Sequence, residues 1–526
     1  MTMHEERGLP HRWALAKIEE LIPLDGVFVD GDWVESKDQD ADGDIRLIQL
    51  ADVGDGTFLD KSDRHLTKKK AYQLGCTFLK AGDILVARMP DPLGRCCIFP
   101  LKGEERYVTV VDVCVIRLSD SSVEPKYLAH LVNSPQIRGE IAKYQSGSTR
   151  KRISRGNLSK IRLPIAPLPE QRRIVAKIDE LFSELDKGVE SLTIAREQLK
   201  AYRQSALKHA FEGKLTEDWR KKNVNTGIGE TLRQRVLGLR RQEWEKAERA
   251  RLQIEGRLPA RDDWKRRYPE PEVFDRQELP DLPSQWCWVG LDEIVSGKPR
   301  SMQSGPFGSN LRHSEFRKSG VLVLGIDNVR EGYFSIGSEN HISEEKFREL
   351  EKYQARPGDL LITVMASLGR TCIVPRDLEK AIITKHVYRV SMEEELLYPE
   401  YFNLLLQSQT VSRIRMFKNA QGQTRPGLNS SILKALPLPL CCRDEQVEIA
   451  SRLSSQVSNI DVATSQIDVE LARAAALKRS ILKHAFTGKL VAQEPADEPV
   501  WVLLDRIKGE RERAAPKRVR GKSEAA

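Results

Sequence analysis

A basic run with the residue types that contact phosphate is Thr149-Arg150-Lys151-Arg152, just before a proline-rich segment. Arginine and lysine neutralise phosphates, and hydroxyl or amide side chains add hydrogen bonds to the same backbone. Thr424, Arg425 and Asn429 stand at the corresponding place later in the chain. All seven side chains are therefore predicted to contact a nucleic acid. The alternative is a pair of solvated turns whose charges only aid solubility.

The sequence contains no motif that would make the chain a catalyst. It has neither a GxxxxGK[ST] loop for ATP phosphates nor a complete glycine-rich dinucleotide loop. The Asn/Asp-Pro-Pro-aromatic tetrapeptide of amino-methyltransferases and the acidic pattern of metal-dependent nucleases are also absent. The histidines and cysteines are dispersed without zinc-ligand spacing. We therefore predict no catalytic residue, no metal site and no cofactor bound by this chain.

The candidate contact residues belong to a unit that occurs twice, as a set of ordered matches shows. Most of these matches are separated by 275 residues or nearly so. The matching pieces are LPHRW (9–13) and LPSQW (282–286), AGDIL (81–85) and PGDLL (357–361), GR (94–95 and 369–370), TR (149–150 and 424–425), EQ (170–171 and 445–446), and KHAFEGKL (208–215) and KHAFTGKL (483–490). The chain is thus two copies of one unit.

The two copies diverge in residues 25–80 and 297–356, which share little that can be aligned. A shared frame with divergent inserts predicts one scaffold that presents two different surfaces. Arginine, asparagine and glutamine can make bidentate contacts to base edges. In the second insert we therefore predict base contacts from Gln303, Asn310 and Arg312, with Ser304 as a further polar candidate.

A long helix with a heptad pattern follows each strand-rich part. Each helix is expected to span about 40 residues, roughly 60 Å at 1.5 Å per residue. Because a sustained heptad needs a partner helix, the two copies are expected to pair antiparallel within the chain. The predicted seam residues are Ile174, Ile178, Leu181 and Leu185 in the first helix, and Ile449, Leu453, Ile460 and Ile467 in the second.

Size and composition agree with a multidomain DNA-binding protein. The 526 residues are too many for one ordinary core, and the net charge of +9 modestly favours a polyanionic partner. No run of about 18 apolar residues and no secretory signal occurs, so we expect a cytoplasmic protein without a membrane partner. Eight scattered cysteines are expected to be small buried side chains in a reducing compartment.

These motifs resemble the specificity (S) subunits of type I restriction–modification enzymes. The resemblance rests on the LPxxW opening, the Gly-Asp-Ile/Leu-Leu strand, the Thr-Arg step before a proline-rich seam, the Glu-Gln helix start and the Lys-His-Ala-Phe-x-Gly-Lys-Leu segment. It extends over nearly the whole chain and includes the two-copy order. The segment 216–281 is longer than this frame needs.

The resemblance implies a non-catalytic subunit that binds double-stranded DNA and reads one half of a bipartite, asymmetric site with each recognition domain. Methylation (M) subunits with S-adenosylmethionine and a restriction/translocase (R) subunit with ATP and Mg would be the partners. The paired helices would set the distance between the half-sites and dock the methylation subunits.

The expected fold is α+β, with two strand-rich target-recognition domains separated by a pair of long antiparallel coiled-coil helices in an internal pseudo-twofold repeat. The expected boundaries are 9–168 for the first recognition domain, 169–213 for the first spacer helix, 214–281 for a charged linker or helix, 282–440 for the second domain, 441–488 for the second helix and 489–526 for an amphipathic segment with a basic tail.

Two other classes of protein remain as alternatives. A fused methyltransferase or nuclease is disfavoured by the missing catalytic motifs. A scaffold that uses its coiled coil without binding DNA is disfavoured, more weakly, by the basic charge and the paired divergent domains.

Overall fold

The computed structural model describes residues 8–89, 92–118, 123–148, 150–224, 227–257, 261–337, 340–420 and 427–514. The chain divides into two compact units. The first comprises Met1–Thr193 with Ile467–Ala526, and the second comprises Ile194–Gln466. Each unit thus contains the strand-rich part of one sequence copy together with parts of both long helices. Thr149, Thr424 and Arg425, three of the predicted contact residues, lie outside the described residues.

The elements follow the chain in two similar series. The first series is β1 (Ala14–Lys17), α1 (Ile18–Leu21), β2 (Val27–Asp30), β3 (Ile45–Ile48), β4 (His65–Leu66), α2 (Lys68–Gln73), β5 (Ile84–Ala87), β6 (Cys96–Ile98), β7 (Tyr107–Thr109), β8 (Val113–Arg117), α3 (Pro125–Asn133), α4 (Pro135–Lys143), α5 (Arg155–Leu158), β9 (Arg162–Ile165), α6 (Leu168–Phe211), α7 (Glu217–Lys222) and α8 (Gly229–Ile254).

The second series is β10 (Cys287–Gly290), α9 (Leu291–Ile294), β11 (Met302–Ser304), β12 (Val321–Leu324), β13 (His341–Ile342), α10 (Glu344–Leu350), β14 (Gln354–Ala355), β15 (Leu360–Thr363), β16 (Thr371–Ile373), β17 (Ala381–Ile383), β18 (Val387–Val390), α11 (Pro399–Gln407), α12 (Val411–Lys418), α13 (Ser430–Lys434), β19 (Pro437–Leu440), α14 (Arg443–Ala485) and α15 (Val500–Ala514). Short 3-10 helices occur at Ser36–Asp38, Leu50–Asp52, Asp262–Arg267, Gly308–Asn310, His313–Glu315, Ile326–Asn328 and Glu351–Tyr353.

The two strand-rich domains share their sheet topology apart from one additional strand, β14, in the second, which confirms the α+β repeat. In the first unit a four-stranded antiparallel sheet has the order β2-β8-β5-β6, and a second sheet has the order β4-β3-β7. In the second unit the corresponding orders are β11-β18-β15-β16 and β13-β12-β17-β14. The central strands β5 and β15 are fully buried on both faces, and apart from Thr363 at the end of β15 they consist of apolar residues.

A two-stranded sheet joins the start and the end of each domain. The proline-rich β9 pairs antiparallel with β1, and β19 pairs in the same way with β10. Tyr127 and Tyr401 each donate their phenolic hydrogen bond to a proline carbonyl in this seam, at 2.9 Å from Pro164 and Pro439 respectively. Proline has no backbone N–H. Strands β9 and β19 therefore have fewer hydrogen-bond donors to satisfy, and each pairs with one strand only.

The long helices α6 and α14 each begin in one unit and end in the other, and they pair antiparallel within each unit. In the first unit Asp186 of α6 forms an ion pair with Lys478 of α14. In the second, Arg203 of α6 lies 3.9 Å from Asp461 of α14. The apolar start of α6 packs on the end of α14, which is the helix pairing that the heptads predict.

The LPxxW and Glu-Gln motifs, which lie about 160 residues apart in the sequence, meet at the start of each long helix. The indole of Trp13 donates to Glu170 at 3.0 Å, and that of Trp286 donates to Glu445 at 2.9 Å. The neighbouring glutamines, including Gln446, bond backbone groups at the helix start. The acidic residue therefore does more than favour the helix dipole, because it holds the domain to its helix.

Part of the charged segment 214–281 is an integral piece of the second unit. Helix α8 inserts Leu232 and Val236 into that unit's core, and the backbone N–H of Gly229 donates to Gln285. Helix α15 does the same in the first unit, where the N–H of Val500 donates to Arg12. Helices α8 and α15 are therefore equivalent and close the two domains in the same way.

Candidate nucleic-acid interface

The basic run of the first unit forms an exposed turn after α4. Arg150, Lys151 and Arg152 are all exposed. Ser146 and Arg152 exchange backbone hydrogen bonds of 2.9 Å in both directions, which closes the turn. Gly147 has a φ of 94°, and a Cβ there would lie 2.4 Å from the carbonyl oxygen of Arg150. The turn thus depends on glycine and presents its cations to solvent.

Backbone hydrogen bonds and partly buried ionic contacts hold the base of this turn to the central sheet. Ile153 is fully buried, and its N–H donates to the carbonyl of Arg88 at 3.0 Å. Arg88 and Arg155 lie 3.2 and 3.6 Å from the two carboxylate oxygens of Asp30, at the end of β2. The backbone N–H of Arg88 also donates to Asp112 at 2.9 Å. The basic turn, the end of β2 and residues 110–112 therefore share one edge of the domain.

The second unit has the same frame with different side chains. Leu428, the equivalent of Ile153, donates its N–H to Val364 at 3.0 Å, and Val364 donates to His386 at 3.0 Å. Burial lowers the pKa of His386, and the adjacent Lys385 lowers it further. Asn429 caps α13, because its side-chain oxygen accepts from the N–H of Ile432 at 2.9 Å. The side-chain oxygen of Asn429 thus has a structural role within the domain. The DNA contact of Asn429 stays a prediction.

The predicted base contacts of the second insert lie near one another along the chain but differ in their availability. Gln303 lies in β11, where its side-chain amide donates to the carbonyl of Lys352. Asn310 and Arg312 are exposed, and the backbone N–H of Arg312 donates to Glu315 at 2.6 Å. Arg312 and Asn310 thus have side chains accessible to a ligand, whereas Gln303 already has a partner within the domain.

Two aromatic side chains that the sequence analysis missed lie on the equivalent edges of the two domains. Trp33 follows β2 and Phe307 follows β11, and both are mostly exposed. They stand 274 residues apart, and each comes two residues after a glycine, Gly31 or Gly305. This glycine-x-aromatic pattern was the available signal, although it lies in or beside segments that otherwise align poorly.

Trp33 borders a cavity of about 410 Å³ in the first domain. Acceptor groups from Asp32, Glu35, Gln49 and Asp112 also line it. Burial raises the pKa of Asp32 to about 6, against the opposing hydrogen bonds from Thr77 and Cys76. The hydrogen bond from Lys37 lowers the pKa of Glu35, and the indole of Trp33 also donates to that carboxylate at 3.1 Å.

The predicted seam residues occupy the faces of α6 and α14 that pack within the units. Side chains near the two helix starts are buried, and those farther along are partly exposed, since two helices alone cannot cover a whole face. The buried ones are Ile174, Ile178, Ile449, Leu453 and Ile460; the partly buried ones are Leu181, Leu185 and Ile467.

Neither a membrane helix nor a metal cluster occurs in the described part of the chain. No helix there has the length and apolarity that a membrane crossing requires. Within the same ranges, no three His, Cys, Asp or Glu side chains are grouped to hold a metal ion.

Relatives found among known proteins carry names from one family. The chain is 25% identical over 407 residues to the type I restriction enzyme EcoBI specificity subunit of Escherichia coli, covering 76% of this chain and 74% of the relative. It is 32% identical over 160 residues to a putative type I restriction enzyme specificity subunit, S.HindORF215P of Haemophilus influenzae, covering 30% of this chain and 38% of the relative.

A solved structure from work on complex assembly and conformational transition of the type I R-M system has the same fold. Its TM-score is 0.61 at 18% identity, and the match covers 92% of this chain and 99% of that one. The family model for the type I restriction modification DNA specificity domain matches residues 10–192 and 312–473, together more than half of the chain. The chain therefore belongs to the type I restriction modification DNA specificity domain family.

Proposed function

We propose that this chain is the non-catalytic, sequence-specific DNA-binding subunit of a type I restriction–modification complex. Each recognition domain binds one half of a bipartite, asymmetric DNA site. Partner methylation subunits with S-adenosylmethionine modify adenine, and a restriction/translocase subunit with ATP and Mg cuts the DNA. The chain's own contribution is binding and geometry.

The observation that carries this proposal is one scaffold presenting two chemically different edges. The end of β2 in the first domain and of β11 in the second have the same register against their partner strands. At equivalent positions the first edge has Asp112, an acceptor, and the second has His386. Different hydrogen-bonding groups on one frame fit two different base sequences. Membership in the DNA specificity family supports the same conclusion.

Two exchanges of recognition segments test this function. Residues 297–356 are replaced by the corresponding segment of another family member, and the chain is co-expressed with its methylation subunits in a host whose methylome is sequenced. We expect one half of the methylated motif to change and the other to persist. Replacement of residues 25–80 is the matched control and should change the opposite half. If either exchange altered both halves or neither, the modular assignment would be wrong.

We also propose that α6 and α14 dock the methylation subunits. These helices expose several large apolar side chains, which soluble proteins usually cover with a partner when they form a patch. They are Ile194, Tyr202, Val462, Val469 and Leu477. Tyr202→Glu and Val469→Glu should reduce co-purification of the methylation subunits. Glu190→Ala, an exposed change on α6, is the control and should leave assembly intact.

A further inference from the structure

We propose that each recognition domain stacks one exposed aromatic side chain, Trp33 in the first and Phe307 in the second, against a base of its half-site. The inference rests on the proposed function and names a contact within it. The contact is common to both domains and is independent of base identity. It is therefore distinct from the polar contacts that would distinguish one half-site from the other.

The first argument is that both aromatics are held at the same point of the fold. Asp30 pairs with Cys114 and Ser304 pairs with Tyr388, so β2 and β11 end in the same register. The residue after each strand is a glycine. A Cβ on Gly31 would lie 2.2 Å from the carbonyl oxygen of Val110, and a Cβ on Gly305 would lie 2.1 Å from that of Ile383. Only glycine allows the backbone to pass this close to the neighbouring strand.

The glycine contact fixes the direction in which the chain leaves the sheet. In the first domain the N–H of Gly31 donates to Val113 at 2.7 Å, and that of Asp32 donates to Thr109 at 2.8 Å. The aromatic residue follows immediately. Its backbone therefore starts from a rigid edge, so the side chain is presented at a defined place, as a stacking contact requires.

The second argument is exposure. Trp33 is 69% exposed and Phe307 is 62% exposed, although aromatic side chains are the largest contributors to cores and interfaces. The residue before the ring differs in type between the two copies: it is Asp32 in the first and the equivalent Pro306 in the second. An aromatic ring at this position in both copies, exposed in both, indicates a shared ligand with a flat apolar face. A DNA base provides such a face whatever its sequence where the side chain unstacks a step of the duplex, as apolar wedge residues do.

The third argument is the charge around the two rings. In the first domain the polar side chains beside Trp33 are mainly acceptors, including Asp32, Glu35 and Asp112, and the basic turn of Arg150–Arg152 lies farther along the same edge. In the second, Lys385 is exposed next to Thr384, whose backbone abuts Gly305. Acceptors near the ring can bond to base amino groups, and cations on the same edge can bond to phosphates, so both kinds of group fit a nucleic acid. We therefore assign the ring to DNA in preference to a protein partner.

Binding by the full chain with its methylation subunits tests the contact. Fluorescence anisotropy on a duplex bearing the complex's own methylated motif is measured for Trp33→Ala and Phe307→Ala at several salt concentrations. Each variant should bind at least about fivefold more weakly, the lower end of the effect of losing one stacked base. The salt dependence should keep its slope, because no phosphate contact is removed. The methylated motif should stay the same.

Conservative and matched variants separate stacking from folding. Trp33→Phe should restore most of the affinity, whereas Trp33→Leu, which keeps apolar bulk without a ring, should resemble alanine. Leu24→Ala and Val273→Ala remove exposed apolar side chains elsewhere in the two units and should bind as the wild type does. A 2-aminopurine probe moved along the half-site should change fluorescence at one position with the wild type and not with Trp33→Ala.

Four results would overturn the inference. Wild-type affinity in both alanine variants would remove the contact, and a shallower salt slope would indicate a phosphate contact instead. Loss of methylation-subunit assembly with intact DNA affinity would assign the rings to a protein partner. A wild-type complex without sequence-specific binding would refute the proposed function together with this contact, whereas specific wild-type binding with unaffected variants would refute the contact alone.

Discussion

Removal of Arg220 should destabilise the second unit far more than removal of the neighbouring Lys221. The carboxylate of Glu445 is 2% exposed at the start of α14. It accepts hydrogen bonds from Trp286 at 2.9 Å, Thr216 at 2.7 Å and Arg220 at 2.5 Å. The Arg220→Ala variant leaves the buried carboxylate with two neutral donors and removes its bonded cation.

The expected magnitude follows from burial. Breaking a buried ion pair by deleting one partner costs about 3–5 kcal/mol, because the remaining charge stays out of water. The guanidinium also lies 5.6 Å from the ring centre of Trp286, and that contact is lost too. Lys221 and Glu217 form an exposed pair, with side chains 73% and 61% accessible, so Lys221→Ala should leave the free energy of unfolding almost unchanged.

Hydrogen exchange read by mass spectrometry measures this cost, with the first unit as an internal control. Peptides of α14 and β10 should lose protection in Arg220→Ala, while peptides of α3 and β5 should not. In a Glu445→Gln background the same substitution should cost much less, since no buried charge is left behind. A cost below about 1 kcal/mol, or an equal cost in both backgrounds, would refute the reasoning.

Four further predictions follow from the same structure. Burial raises the pKa of Glu170, so its contribution to stability is present at low pH and lost as pH rises; in denaturant titrations the free energy of unfolding of the first unit should therefore fall less between pH 4 and pH 8 in Glu170→Gln than in the wild type. Burial raises the pKa of Cys97 and Cys372 to about 12, so iodoacetamide at pH 7.5 should modify these thiols only after unfolding, and rapid native labelling would contradict this. One heptad inserted into each of α6 and α14 should lengthen each helix by about 10 Å and shift the preferred DNA spacer by up to roughly three base pairs in a methylation assay; an unchanged spacer would show that the helices do not set it. A fragment of residues 1–257 should sediment as a dimer that is more stable than the dimer of residues 1–215, because only the longer fragment contains α8. A monomeric fragment would contradict the predicted pairing of the long helices.

The internal repeat made most of the fold predictable. The matched motifs are residues with fixed structural partners, so the same short peptides recur wherever the same contact is made. Gly213 and Gly488, for example, both have a positive φ at the ends of the long helices, as the sequence indicates. A Cβ on them would lie 2.3 and 2.2 Å from Pro283 and Pro10 of the LPxxW motifs. The glycine was predictable as a helix cap, but its contact with proline was not.

The candidate interface was less predictable because its residues are exposed, so contact with a ligand and not packing in a core determines their types. Arg150 and Arg152 were found from their charge, and both are exposed. Trp33 and Phe307 were not found, because an isolated aromatic in a sequence predicts burial more often than exposure. The shared register of β2 and β11 shows that the two rings occupy one equivalent position. Gln303, a predicted base contact, uses its amide within the domain.

The folded units and the sequence copies divide the chain at different places. This difference explains why a helix, α8, lies in the segment between the two copies. A sequence copy runs from the LPxxW motif through its own long helix. The compact first unit instead combines the start of α6 with the end of α14 and α15, and the second combines the end of α6 and α8 with the start of α14. Each recognition domain therefore needs a closing helix that its own sequence copy does not provide. The segment 214–281 supplies α8 ahead of the second domain, and the C-terminal region supplies α15 to the first. The presence of α8 in this segment is thus a consequence of the topology, and shortening the segment into α8 should unfold the second unit before it affects the first.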